Sequence, residues 1–155
     1  MVSRPPSSRR TSRASCAASG MSAYLDHIGI AVTPGSRLAD ALAVLGLTVT
    51  GKERVDREKV DTTWIPLPPI SGHVELLEPT DASSTIASFL EKTKRDGIHH
   101  LSFRVDDIRA TSAALVSAGF TLIYPEPRAG AHDCLVNFIH PKTTGGVLLE
   151  ITEKQ

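Results

Sequence analysis

Four residues able to do chemistry together recur at near-equal intervals: His27 with Glu75, 48 residues on, and His100 with Glu150, 50 residues on. Two imidazole nitrogens and two carboxylate oxygens make a mixed N/O donor set. Such a set suits Co²⁺, Mn²⁺, Zn²⁺ or Ni²⁺, with Mg²⁺ also compatible, and leaves positions open for water or substrate; a closed structural zinc site would normally use cysteine. Each position alone has a plainer reading, since a lone strand histidine is usually a satisfied core or surface residue and a glutamate between apolar residues usually faces solvent. Their coincidence favours a cation, because a carboxylate on the inner face of a strand is costly to bury unless it is paired or ligated.

The coincidence comes from an internal repeat. At an offset of 73, DHIGIAV (26–32) falls on HHLSFRV (99–105) and LADALAVLGLTV (38–49) on TSAALVSAGFTL (111–122). His27 precedes Gly46 by 19 residues, as His100 precedes Gly119.

The elements that must position these residues are short and strand-rich. Candidate strands are 25–32, 47–55, 59–67 and 73–78, then 98–105, 120–124, 134–140 and 147–152. Between the first two strands of each set lies a helical pattern. In the first, Leu38, Ala41, Leu42 and Leu45 follow Ser36 as N-cap and Gly46 ends the helix; in the second, Asp107 caps, Ala114, Leu115 and Ala118 face inward, and Gly119 ends it. A third helix over 83–95 carries Ile86, Phe89 and Leu90 on one face. The fold class expected is α+β: two pseudo-symmetric βαβββ modules, 24–80 and 97–153, whose curved mixed sheet surrounds a metal-containing cleft within one domain, 23–155. Strand alternation puts Glu75 on a face with His73 and Leu77, and Glu150 with Leu148 and Thr152. His99 is expected on the face opposite His100, and His73 is set aside because the repeat gives it no counterpart.

Charge excludes some partners. Four of the seventeen bases (Arg4, Arg9, Arg10, Arg13) and none of the seventeen acids fall in the first twenty residues, so the remaining body is mildly acidic. A nucleic-acid surface would need its Lys and Arg on one folded face. No apolar run reaches the roughly 20 residues of a membrane span. Two cysteines, Cys16 and Cys134, fit a reducing compartment. Residues 1–22 read as a disordered or targeting tail: a transit peptide to the mitochondrial matrix, or read-through upstream of a true start at Met21, with a cytoplasmic protein expected in that second case.

No Walker-type loop, GxGxxG turn or GxSxG elbow competes with the His/Glu set. The Gly145–Gly146 turn beside Lys142 offers backbone N–H groups to an anion, although a turn needing positive φ explains the glycines equally well. Lys142, His132 and Gly146 are the candidate substrate contacts, with His140 a further candidate.

DHIGIAV, VELLEPT, IASFLEK, GIHHLSFRVDDI, EPRAGAH and IHPKTTGGVLLEI occur in the order and spacing of the methylmalonyl-CoA epimerase family, in the vicinal-oxygen-chelate (glyoxalase-like) superfamily, and the chain resembles that family over 25–153. The resemblance implies paired βαβββ modules, a divalent metal such as Co²⁺ on His27, Glu75, His100 and Glu150, epimerisation at C2 of (2R)- and (2S)-methylmalonyl-CoA through a metal-stabilised enolate, and a homodimer. Glu150 and Glu75 are then the acid/base pair. Some members carry glutamine at the second ligand and a separate catalytic glutamate one strand earlier. Here that stretch is Glu58-Lys59-Val60-Asp61-Thr62, with Thr62 where the glutamate would stand and Asp61 expected to face away. Two other functions share the fold: a glyoxalase I-type lactoylglutathione lyase, which the HPKTTGGVL ending disfavours, and a metal-free small-molecule-binding protein, which the full ligand set disfavours.

Overall fold

The structure, a computed structural model, describes residues 22–155. The tail readings, Cys16 and the alternative start at Met21 fall outside the described residues. Runs rich in Val, Ile, Leu and Thr, suited to a pleated half-buried surface, form the strands. The first half comprises β1 (Ala23–Ala31), α1 (Leu38–Val44), β2 (Gly51–Val55), β3 (Val60–Pro66) and β4 (His73–Pro79). After α2 (Thr85–Thr93), the second half repeats the plan in β5 (Gly97–Val105), α3 (Ile108–Ser117), β6 (Arg128–Ala129), β7 (Cys134–Ile139) and β8 (Leu149–Lys154).

All eight strands join one curved mixed sheet in the order β2-β3-β4-β1-β5-β8-β7-β6. β1 and β5 pair antiparallel at its centre; β4 runs parallel to β1 on one side and β8 parallel to β5 on the other. The sheet therefore reads the same outward from the central pair in both directions, the α+β arrangement of two βαβββ modules. The register carries the symmetry to single residues. Glu75 sits opposite Gly29, and Glu150 sits opposite Ser102, which is the equivalent of Gly29 at the offset of 73.

The apolar faces away from the glutamates carry much of the packing. Val74 and Leu76, flanking Glu75, pack with Val32 and the fully buried Ile65, beneath Leu38, Ala39 and Leu42 of α1. Ile151 packs with Val105, Ile108 and Leu115 of the second half. On the other side, Leu77, Val60 and Ala31 meet Ile86 and Leu90 of α2. Ser84 caps α2 by accepting from Ile86 N at 3.2 Å, and Asp107 caps α3 by accepting from Arg109 N and Ala110 N. No helix among the described residues is long and apolar enough to cross a membrane.

Several local expectations are corrected. The expected strand over 120–124 is reduced to one bridge, Leu122 to Ile139, because Pro125 and Pro127 lack the N–H a ladder needs; pairing on that edge passes to β6. The strands placed at 47 and 147 begin at Gly51 and Leu149. The N-cap of α1 is Arg37, with Ser36 Oγ still accepting from Leu38 N at 3.3 Å. Ala41, Leu45 and Ala118 are exposed. α1 instead turns Leu38, Ala39 and Leu42 to the core, and Ala118 lies at the C-cap of α3, beyond its packed face.

Candidate metal centre and acid/base site

Two β-bulges in the central strand pair build the centre of the site. Pairing of β1 with β5 steps from Leu25–Phe103 to His27–Ser102, leaving Asp26 over, and from Gly29–His100 to Ile30–Ile98, leaving His99 over. A bulge re-aims side chains that strict alternation would send to opposite faces. Asp26 and His99 accordingly line the cleft beside His27 and His100. This corrects the expectation that His99 faces away from His100, which assumed an unbroken pleat.

Each bulged residue holds the outer nitrogen of its neighbour. His27 Nδ1 donates to Asp26 Oδ2 at 3.0 Å, and Arg104 in turn pairs with Asp26 Oδ1. His100 Nδ1 lies 3.0 Å from His99 Nδ1, and the His99 ring stands edge-on to Phe89. With Nδ1 engaged on both rings, the two Nε2 atoms face one another at 3.0 Å. Gly29 makes room for this: a Cβ there would come within 2.3 Å of the His100 ring.

Both carboxylates reach the same point. Glu150 Oε1 lies 3.8 Å from His27 Nε2 and Glu75 Oε2 lies 3.7 Å from it. Donor atoms of His27, His100 and Glu150, all buried, lie within 4.8 Å of one another. Glu75 falls outside that group; its Oε1 accepts from Trp64 Nε1 at 3.1 Å and lies 3.0 Å from His73 Nε2. Inward-facing Nε2 atoms with their Nδ1 partners in place, joined by two carboxylates, fit a divalent cation. Asp26, His27 and His73 also cluster closely enough to ligate. Arg104 already supplies Asp26 with a positive charge, so that cluster orients His27 rather than forming a second centre.

Burial and partners separate the two glutamates electrostatically. Burial pushes Glu150 up to about 7, with His27 and the 2.7 Å hydrogen bond from Ser102 Oγ opposing it only in part. Burial acts on Glu75 in the same sense, but His73, His27 and His100 outweigh it and hold Glu75 below the ordinary carboxylate range. Burial also pushes His100 down, to about 3, helped by His27 and His99. For His27, burial is outweighed by Asp26, Glu75 and Glu150, and its acidity is weakened. One carboxyl is thus poised near neutrality beside another that stays ionised.

The centre lies within a cleft of about 1050 Å³. Along β3, Val60, Thr62, Trp64 and Pro66 line it while the half-buried Asp61 is not among the lining residues and pairs with Arg54. Of the candidate substrate contacts, His132 lines the cleft, its Nε2 3.2 Å from Glu53 and its ring against Trp64. Lys142, Gly146 and His140 are not among the lining residues; the Gly146 N–H closes a turn onto Pro141 O. Sequence reasoning passed over Trp64, His73 and Asp26 as site residues. Strand parity with Glu75 was a usable signal for His73.

A model of the Glyoxalase/Bleomycin resistance protein/Dioxygenase superfamily matches residues 26–138. The ethylmalonyl-CoA/methylmalonyl-CoA epimerase of Cereibacter sphaeroides is 37% identical over 131 residues, covering 83% of this chain and 96% of that protein. The crystal structure of methylmalonyl-CoA epimerase from Mycobacterium tuberculosis superposes with a TM-score of 0.77 at 36% identity, over 84% of this chain and 87% of the other. A variant of the Streptomyces coelicolor methylmalonyl-CoA epimerase, in complex with 2-nitronate-propionyl-CoA, does so at 0.76 and 30% identity, over 84% and 96%.

Proposed function

The chain belongs to the Glyoxalase/Bleomycin resistance protein/Dioxygenase superfamily, and from that premise we propose that it epimerises methylmalonyl-CoA at C2 with one divalent cation, Co²⁺ first, held by His27, Glu75, His100 and Glu150. The observation that carries the reading is the meeting of His27, His100 and Glu150 donors beside Glu75 at one point in the cleft. The similar epimerases from three organisms support the substrate. Residues 23–155 act as one domain, and a homodimer is the proposed assembly.

The C2 proton lies between a thioester carbonyl and a carboxylate, so its removal creates negative charge that must be stabilised. A divalent cation supplies that stabilisation as a Lewis acid. Inversion needs a proton acceptor on one face of C2 and a donor on the other. Glu150 fits either task, because a group near neutrality both accepts and returns a proton readily, and Ser102 holds Oε1 so that Oε2 is left for the transfer. Glu75 reaches the centre from the opposite half. With Thr62 where a separate carboxylate would stand, Glu75, held ionised, is the counterpart that accepts the proton when Glu150 gives one.

The test is a stereospecific assay of purified protein and Co²⁺ with (2S)-methylmalonyl-CoA. Appearance of the (2R) form is expected. No turnover, or conversion of methylglyoxal with glutathione in its place, would overturn the proposal.

A further inference from the structure

The two glutamates occupy equivalent positions but are not held alike, and the pseudo-symmetry makes the difference legible. Across the antiparallel ladders, Trp64 stands opposite Glu75 and Phe138 stands opposite Glu150. Across the parallel ladders, Gly29 stands opposite Glu75 and Ser102 opposite Glu150. In the second half the donor to the carboxylate is therefore Ser102, and Phe138, which has no donor, packs edge-on to His100. In the first half glycine offers no donor, and the aromatic position carries one, the indole N–H of Trp64, 3.1 Å from Glu75 Oε1.

The indole is held in that pose from two further directions. On the strand beyond it, Gly51 is its ladder partner, and a Cβ there would come within 2.8 Å of Trp64 Cε3 and 3.2 Å of Cζ3. The ring thus rests on bare backbone. On another side the His132 ring packs edge-on, centroids 4.6 Å apart, and His132 is itself paired with Glu53 at 3.2 Å.

We infer that Trp64, seated on Gly51, is a positioning residue that with His73 occupies Glu75 Oε1, so that Glu75 turns only its other oxygen toward the metal centre. This role rests on the metal-centre reading above. It makes Glu75 the fixed carboxylate and leaves Glu150, held by one hydroxyl, as the freer one.

The test is Co²⁺ affinity, measured by calorimetry on EDTA-stripped and dialysed protein. Trp64→Phe keeps the ring and removes the N–H; a 10–100-fold weaker affinity is expected, the usual effect of losing a partner of a metal ligand. In a Glu75→Ala background the same change should have no further effect, whereas a merely structural role would lower affinity in both backgrounds. Gly51→Ala keeps the N–H but displaces the ring, and should weaken Co²⁺ binding while altering the fluorescence of Trp64, the single tryptophan of the chain. Wild-type affinity in Trp64→Phe, or an equal loss with and without Glu75, overturns this role and leaves the metal reading standing. Failure of the wild-type protein to bind Co²⁺ overturns both.

Discussion

His27 and His100 meet tip to tip, Nε2 to Nε2 at 3.0 Å, with ring planes at 85°. Each ring has its other nitrogen occupied, by Asp26 and His99 respectively. Two imidazoles held so close repel through their lone pairs unless a proton or a cation lies between them. His27→Ala and His100→Ala should each weaken Co²⁺ binding by more than about 100-fold, beyond the effect of losing an outer partner. Calorimetry on the stripped protein checks this, and unchanged affinity in either variant would contradict the ligand set.

The bulge at His99 depends on Gly29 tolerating an imidazole above it. Gly29→Ala places a methyl within 2.3 Å of His100. The ring must turn away, since the clash is with the ring itself and not with the end of a flexible chain. Epimerase activity should fall at least tenfold, with Co²⁺ affinity falling alongside it. A variant with normal kcat and normal metal affinity would show that the His100 pose is not needed.

Glu150 gives the metal-free protein a pH signature. Its folded value of about 7 lies above the ordinary 4.5, so the folded chain holds the proton more firmly between those limits. The stability Glu150 contributes is complete below 4.5 and is lost as the pH rises to 7. In EDTA, Glu150→Gln should therefore stabilise the protein at pH 8, by up to ~3 kcal/mol, and leave it nearly unchanged at pH 4.5. Urea unfolding at the two pH values measures the difference. A gain that is the same at both, or larger at the acid end, would show that Glu150 is not a buried group titrating near neutrality.

Ile65 tests the apolar support beneath Glu75. It is fully buried among Val32, Val74 and Leu76 under α1. Ile65→Ala should cost 2–5 kcal/mol, within the range of about that size for aliphatic truncation in a packed core. A loss under about 1 kcal/mol by denaturant titration would mean that this layer does not anchor β3 and β4.

The four His and Glu positions were legible in the sequence because a duplicated strand preserves both residue type and side-chain parity. Nothing in a single strand reports its register with a neighbour, so the bulges that swing Asp26 and His99 into the cleft could not be read. Trp64 and His73 escaped for the opposite reason. They are departures from the repeat, standing where the second half has Phe138 and Leu148, and a search for coincidence passes over asymmetry. The strand expected over 120–124 failed on chemistry that was visible, since the prolines that end its pairing follow immediately.

Solvent exchange at C2 tests the central claim most directly, because it reports proton removal whatever the stereochemical outcome. (2R)- and (2S)-Methylmalonyl-CoA in D₂O, each followed by proton NMR, should lose the C2 proton signal with the Co²⁺-loaded protein and keep it after EDTA. The signal should also persist with Glu150→Gln in at least one of the two enantiomers. Undiminished exchange in EDTA would contradict the cation's role, and full exchange of both enantiomers by Glu150→Gln would contradict Glu150 as the proton-transferring group.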